Sequence, residues 1–308
     1  MEAIIGKRKF LPLFALICAF LWGCGFSVVK TGYELFGIGG GGAQSKILFA
    51  GLRFILAGLM TLGVFALSER GAAHPIIPAL KANIGGIALL SVFQTVIQYA
   101  FLYIALANLD GSVSSVLNQL GSFLLVLLLP LADKSEHMSP YKLIGCIVGF
   151  AGIIFINLDG LHFTPSFAGE GCIIISSCSA AVGYIISRRL SRRISPILAT
   201  GAQQLLGGLI LTFAGILSGG RLSLQSALAI PVLLYLAISI AAAYVIWAIL
   251  LKYNPVSEVT VYKFAVPVFG VLASGILLGE NILRPGILLP LIAVAAGIIL
   301  VNRRPKEI

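Results

Sequence analysis

The sequence predicts an all-α integral membrane protein, with ten transmembrane helices arranged as two inverted five-helix repeats. Three observations lead there. The 308 residues are 59% hydrophobic and only 10% charged, with a mean hydropathy of +1.05, whereas soluble domains carry roughly 25% charged residues. Apolar runs recur between charge, Pro or Gly, each close to the roughly 20 residues that a bilayer span requires. The two halves of the chain also repeat each other. Ten spans leave no length for a sizeable soluble domain, and a formal charge of +10 reads as loop charge that sets topology rather than as affinity for nucleic acid.

In chain order the runs lie at 10–30, 47–67, 84–106, 111–132, 140–158, 168–188, 195–217, 229–251, 255–278 and 285–302. The first follows Lys7-Arg8-Lys9 and resembles a secretory signal, but bulky Trp22 in Leu21-Trp22-Gly23-Cys24 argues against cleavage, so it is expected to remain as the first helix. Gly145 and Gly149 in the fifth run have the spacing of a close-packing face. The ninth run opens with Asn254-Pro255 and carries Glu258 in its first turn, where an acid complements the helix dipole. Cys18, Cys24, Cys146, Cys172 and Cys178 all lie within apolar segments and form no C-x-x-C pair, so neither a disulfide framework nor a metal knuckle is indicated.

Charge sets the orientation. With a cytoplasmic N-terminus, fifteen of the 21 Lys and Arg fall in inner loops and tails, including Arg188, Arg189, Arg192 and Arg193. Four fall in outer loops, namely Lys30, Lys46, Arg221 and Arg284, and Arg53 and Lys263 lie inside spans. This positive-inside bias puts both termini in the cytoplasm.

The repeat is legible at matched offsets. Gly152-Ile-Ile-Phe-Ile-Asn157 closes the fifth run and Gly297-Ile-Ile-Leu-Val-Asn302 closes the tenth, with Pro140 and Pro285 opening those runs at the same offset. Asn108 aligns with Asn254 and Phe123 with Phe269, and nearer the start Phe26 aligns with Tyr184 and Lys30 with Arg188. The repeats are expected over 10–158 and 168–302. Because five is odd, the second half enters the membrane from the opposite side, an architecture of secondary transporters.

Several fragments carry a family resemblance. Trp22-Gly-Cys-Gly-Phe26-Ser-Val-Val-Lys30, Arg53-Phe-Ile-Leu-Ala57-Gly, Val-Tyr262-Lys-Phe-Ala-Val-Pro267-Val-Phe-Gly270 and Leu278-Gly279-Glu280 resemble the drug/metabolite transporter superfamily, EamA type. The resemblance covers nearly the whole chain. It implies ten helices and export of amino acids or related small metabolites. The first half departs from the pattern, with Gly121 and Ala132-Asp133-Lys134 where the family's Pro and Leu-Gly-Glu would fall, so a proline kink is not expected in the fourth helix.

Polar groups inside spans must find protein partners or line a wet cavity. Ser91, Gln94, Thr95 and Gln98 form one stripe on the third helix, with Tyr99 and Tyr103 beside it; Ser115, Asn118, Gln119 and Ser122 form another on the fourth. Gln203 and Gln204 on the seventh helix and Tyr244 and Trp247 on the eighth extend the set. Hydrogen-bonded packing between helices is the alternative to a cavity for these side chains. The candidate solute-binding residues are Gln94, Gln98, Tyr99, Asn118, Gln119, Gln203, Tyr244, Trp247 and Lys263. Tyr244 aligns with Gln98 by the repeat, as a site on a pseudo-two-fold axis requires. Lys263 shares a stripe with Thr260, Pro267, Gly270 and Ser274 and is expected to meet an anionic group; snorkelling to the cytoplasmic side is its other reading. Trp22 and Arg53 are candidate gating residues, and Arg53 is equally readable as a snorkelling cation.

Enzyme signatures are missing. His74, His137 and His162 fall in loops, and neither H-E-x-x-H nor G-x-S-x-G occurs. No catalytic residue, metal site or cofactor is expected. The partners are a small-molecule solute and the lipid bilayer, with no nucleic acid; the sequence leaves the oligomeric state open, and a monomer is compatible with it. Only Glu258 among the eleven acids approaches a span interior, so facilitated diffusion or exchange is expected rather than coupling through a mid-membrane carboxylate. The expected function is a secondary-type carrier of a small polar or amphipathic, amino-acid-like metabolite, working outward by alternating access. A channel, a receptor or a partner in a membrane complex is the alternative.

Overall fold

A computed structural model describes residues 2–68, 76–132, 140–155, 166–254, 259, 261–283 and 285–301. All regular structure among them is helical. We number the main helices α1 (Leu11–Leu35), α2 (Ala43–Ser68), α3 (Ile84–Leu106), α4 (Gly111–Leu117 continued by Leu120–Ala132), α5 (Pro140–Phe155), α6 (Cys172–Leu190), α7 (Pro196–Leu217), α8 (Ala229–Tyr253), α9 (Ala265–Leu278) and α10 (Pro285–Val301). Seven stretches, those of α1 to α4 and α6 to α8, are long and apolar enough to cross a membrane. α5, α9 and α10, with 16, 14 and 17 residues, reach about 21 to 26 Å at 1.5 Å per residue.

The helices begin where local chemistry starts them. Pro196 opens α7 directly after Ser195, where its missing N–H costs nothing. Ser166 accepts a hydrogen bond from the Gly169 amide at the turn leading into α6. Burial then divides each helix by face. On α1, Ala15, Cys18, Ala19 and Phe26 are buried while Leu13, Leu16, Ile17 and Phe20 are exposed. Exposed Leu59, Phe213 and Ile276 on other helices continue this apolar outer surface, which suits lipid and not water.

α2 and α7 pack antiparallel along a seam of glycines seven residues apart, Gly51 and Gly58 against Gly201, Gly208 and Gly215. A methyl group at Gly58 would stand 2.5 Å from the Leu205 backbone nitrogen, and one at Gly208 2.5 Å from that of Ile55. Only glycine allows this approach. Elsewhere α5 packs on α10, α1 on α8 and α9, α6 on α3 and α4, α2 on α8, and α7 on the first half of α3.

Three features depart from the sequence-based expectation. α1 continues to Leu35 rather than ending near residue 30, so Lys30 is helical and not a loop residue. α3 contains a widened turn over Val92–Ile97, against which α6 and α7 press Gly183 and Gly207, while Ser179 donates to the carbonyl of Phe93 at 2.6 Å. α4 does break without a proline: after Leu117 the amides of Gln119, Gly121 and Ser122 bond back three residues. Glu258, Thr260 and the three histidines lie outside the described residues.

Candidate functional site

Seven helices line a partly open cavity. Its walls are Trp22, Gly25, Phe26 and Val29 from α1, Arg53 from α2, Gln98, Tyr99, Leu102 and Tyr103 from α3, Asn118, Gln119, Gly121 and Ser122 from α4, Ala180 and Tyr184 from α6, Ile240 and Tyr244 from α8, and Val266 from α9 with Lys263 from the turn before it. Among the described lining residues there are two cations and no carboxylate.

A column of aromatic rings joins the two cations. Arg53, 3% exposed, donates through Nε to the carbonyl of Leu236 at 2.9 Å and through a terminal nitrogen to the Tyr103 hydroxyl at 2.7 Å. Tyr33 donates to the Tyr103 carbonyl at 2.8 Å and packs edge-on to its ring. Tyr103 leads to Tyr99, ring centroids 6.2 Å apart. Tyr99 and Tyr244 share a hydroxyl contact of 3.1 Å across the two halves of the chain, and Tyr244 meets Trp22 edge-on.

Trp22 in turn packs on Trp247, 5.1 Å between centroids. The Lys263 ammonium, on a residue 6% exposed, lies 3.7 Å from the Tyr184 ring centre, 5.2 Å from that of Trp247 and 5.9 Å from that of Trp22. This is an aromatic box around a cation. The Lys263 carbonyl also lacks its usual helical donor, because the residue four places on is Pro267.

Of the sequence-predicted residues, the structure brings Trp22, Arg53, Gln98, Tyr99, Asn118, Gln119, Tyr244 and Lys263 onto the cavity wall. Trp247 stands one layer behind, against Trp22 and Lys263. Gln203 is off the wall: its side-chain oxygen accepts from Thr95 at 2.6 Å and its carbonyl from Ser91 at 3.0 Å. Gln94 is buried beneath Gly183 of α6. Both join helices, as does Gln204 with Thr61.

One group escaped the sequence reading. Glu280, just past the end of α9, accepts from the Gly111 and Ser112 amides at 2.8 and 3.1 Å and from the Ser112 hydroxyl at 2.6 Å. Lys30 approaches the same carboxylate at 3.9 Å and donates to the Leu109 carbonyl at 2.8 Å. A carboxylate on the first amides of α4 is well placed for the helix dipole. Gly279, with φ +66°, makes the turn that aims it there. The signal was the short Leu278-Gly279-Glu280 motif, which gives no hint of its distant partner.

A polar, cation-bearing space lies inside an otherwise apolar multi-helix bundle, the build of a multi-pass membrane protein. The family model for EamA-like transporters matches residues 9–158 and again 167–303, and the chain belongs to that family. An uncharacterized transporter of Archaeoglobus fulgidus is 26% identical over 89% of this chain and 91% of its own length. The uncharacterized transporter YvbV of Bacillus subtilis is 27% identical over 95% of this chain and 92% of its own. A chloroplastic WAT1-related protein of Arabidopsis thaliana is 25% identical over 90% of this chain and 66% of its own. A solved crystal structure superposes over 96% of both chains with a TM-score of 0.68 at 17% identity, a likeness of fold.

Proposed function

We propose that this protein is a secondary carrier that moves a small polar or amphipathic metabolite outward across the bacterial cytoplasmic membrane, with both termini in the cytoplasm. Ten spans in two inverted halves, 10–158 and 168–302, exchange access to the cavity from one side to the other. The observation that carries this reading is the composition of the cavity wall, drawn from α1 to α4 of one half and α6, α8 and α9 of the other.

Helix packing supports the repeat. If each helix is exchanged for the one five places along, α1 on α9 becomes α6 on α4, α1 on α8 becomes α6 on α3, and α2 on α8 becomes α7 on α3. All of these pairs occur. α2 with α7 and α5 with α10 map onto themselves, as helices flanking a pseudo-two-fold axis do. The break in α4 at Asn118 and Gln119 corresponds, at the repeat offset of 146, to residues 264 and 265, where the Val261–Phe264 turn passes into α9. Broken helices at the midplane are where such carriers hold their solutes. The Glu280 cap ties α9, α1 and the start of α4 together at the end of the bundle expected to face outward, so this conformation is closed there.

Counterflow in proteoliposomes tests the reading. Vesicles containing the protein and preloaded with an unlabelled solute are expected to accumulate the labelled form transiently; release of a chemically altered product, or flux without counterflow, contradicts it. Topology is checked by an impermeant thiol reagent, which is expected to spare a cysteine placed at Arg189 in intact cells and to label it in inverted vesicles.

A further inference from the structure

We infer that the solute held in the proposed transport cavity is an organic carboxylate of net negative charge, with its acidic group on the Lys263 ammonium. This inference rests on the carrier reading for the site. Lys263 is more than nine-tenths buried, faces the cavity, and has three π faces but no ion pair among the described residues. Aromatic faces offset only part of the hydration that a buried ammonium gives up. Arg53 adds a second buried charge, and its hydrogen bonds to Leu236 and Tyr103 end on neutral oxygens. Two positive charges facing a cavity whose described wall has no carboxylate repel a cation and leave the ammonium of a zwitterion without a counter-ion.

The neighbours narrow the class. Asn118, Gln119 and Ser122 offer a few neutral polar groups and the rest of the wall is largely aromatic and aliphatic, which suits a monoanionic carboxylate with an apolar body better than a phosphate needing many donors. Gln98 is 5% exposed and its side-chain oxygen has no hydrogen-bond partner among the described residues. It is available to accept from a hydroxyl or amide N–H on the solute.

The chain has two tryptophans, Trp22 and Trp247, and the Lys263 ammonium lies near both rings, so fluorescence excited at the red edge, where tyrosine does not absorb, reports on this site. Purified full-length protein is titrated with 3-phenylpropanoate, 3-phenyllactate, phenylalanine, phenethylamine and inorganic phosphate; the first four share a phenylethyl unit and differ in whether it carries a carboxylate, an ammonium, both, or a carboxylate with a hydroxyl. We expect saturable changes with the two carboxylates, half-saturation with phenylalanine at roughly tenfold higher concentration, and none with phenethylamine. 3-Phenyllactate should bind more tightly than 3-phenylpropanoate, an advantage lost in Gln98→Leu. Lys263→Met should abolish the carboxylate response and Lys263→Arg retain it; should Lys263→Met not fold, Lys263→Gln takes its place. Phenylalanine or phenethylamine saturating at or below the carboxylate concentration overturns the inference, as does a response to phosphate alone or no response to either carboxylate. Counterflow of whichever compound binds then tells whether the carrier reading survives such a result.

Discussion

Arg53 and Lys263 are both buried cations on one cavity wall, yet their surroundings have little in common. Arg53 is held by a backbone carbonyl and a tyrosine hydroxyl, which is itself fixed by Tyr33, and it rides on α2, a helix locked to α7 by glycines. Lys263 touches rings and sits on a short turn before Pro267, opposite the broken α4. Along α1 their neighbours Tyr33 and Trp22 are eleven residues, or about 16 Å, apart. The difference teaches that burial of charge alone does not mark a binding residue. A cation tied by hydrogen bonds to the protein is part of the frame, whereas one that faces a cavity with no acceptor among the described residues is available to a ligand.

The contrast can be broken or sharpened by substitution, with thermal unfolding of the purified protein as the measure. Arg53→Met takes the guanidinium donor from the buried Tyr103 hydroxyl and leaves the Leu236 carbonyl only its own helix and Ser239, and should destabilise by about 3 kcal/mol. Gly208→Ala drives a methyl group into the Ile55 backbone and should cost about 2 kcal/mol. Glu280→Gln weakens the cap on α4 and loses the Lys30 interaction, for about 1 kcal/mol. Lys263→Met removes a charge but strands no hydrogen-bond partner among the described residues, so stability should stay within about 1 kcal/mol in either direction. A loss at Lys263 as large as that at Arg53 would erase the distinction.

Hydropathy located the helices because apolar runs are bounded by charge, and the starts of α3, α4, α5, α8 and α10 were legible to the residue. It misjudged α1 because Lys30 and Glu34 look like the end of a span, although Lys30 has partners in Leu109 and Glu280. The wide turn in α3 and the break in α4 were invisible, since Gln94 and Asn118 keep helical periodicity across them. The glycine seam escaped because small residues weigh little in any hydropathy scale. Of the cavity, the aromatic and amide residues of α3 and α4 were legible as polar groups inside spans. Which of them face the cavity and which join helices, as Gln203 does, depends on the rotation of packed helices and is set by glycine contacts far along the chain.

Alternating access is the central claim, and accessibility of one cavity position tests it most directly. In a background with the five native cysteines replaced by alanine, Ser122→Cys on the cavity wall is probed with an impermeant maleimide in intact cells and in inverted vesicles. With the Glu280 cap intact, labelling is expected from the cytoplasmic face. Adding Glu280→Ala, which releases α4 from α9 and α1, should shift reactivity toward the outside. Labelling from neither face, or from the same face at the same rate in both backgrounds, would contradict the account.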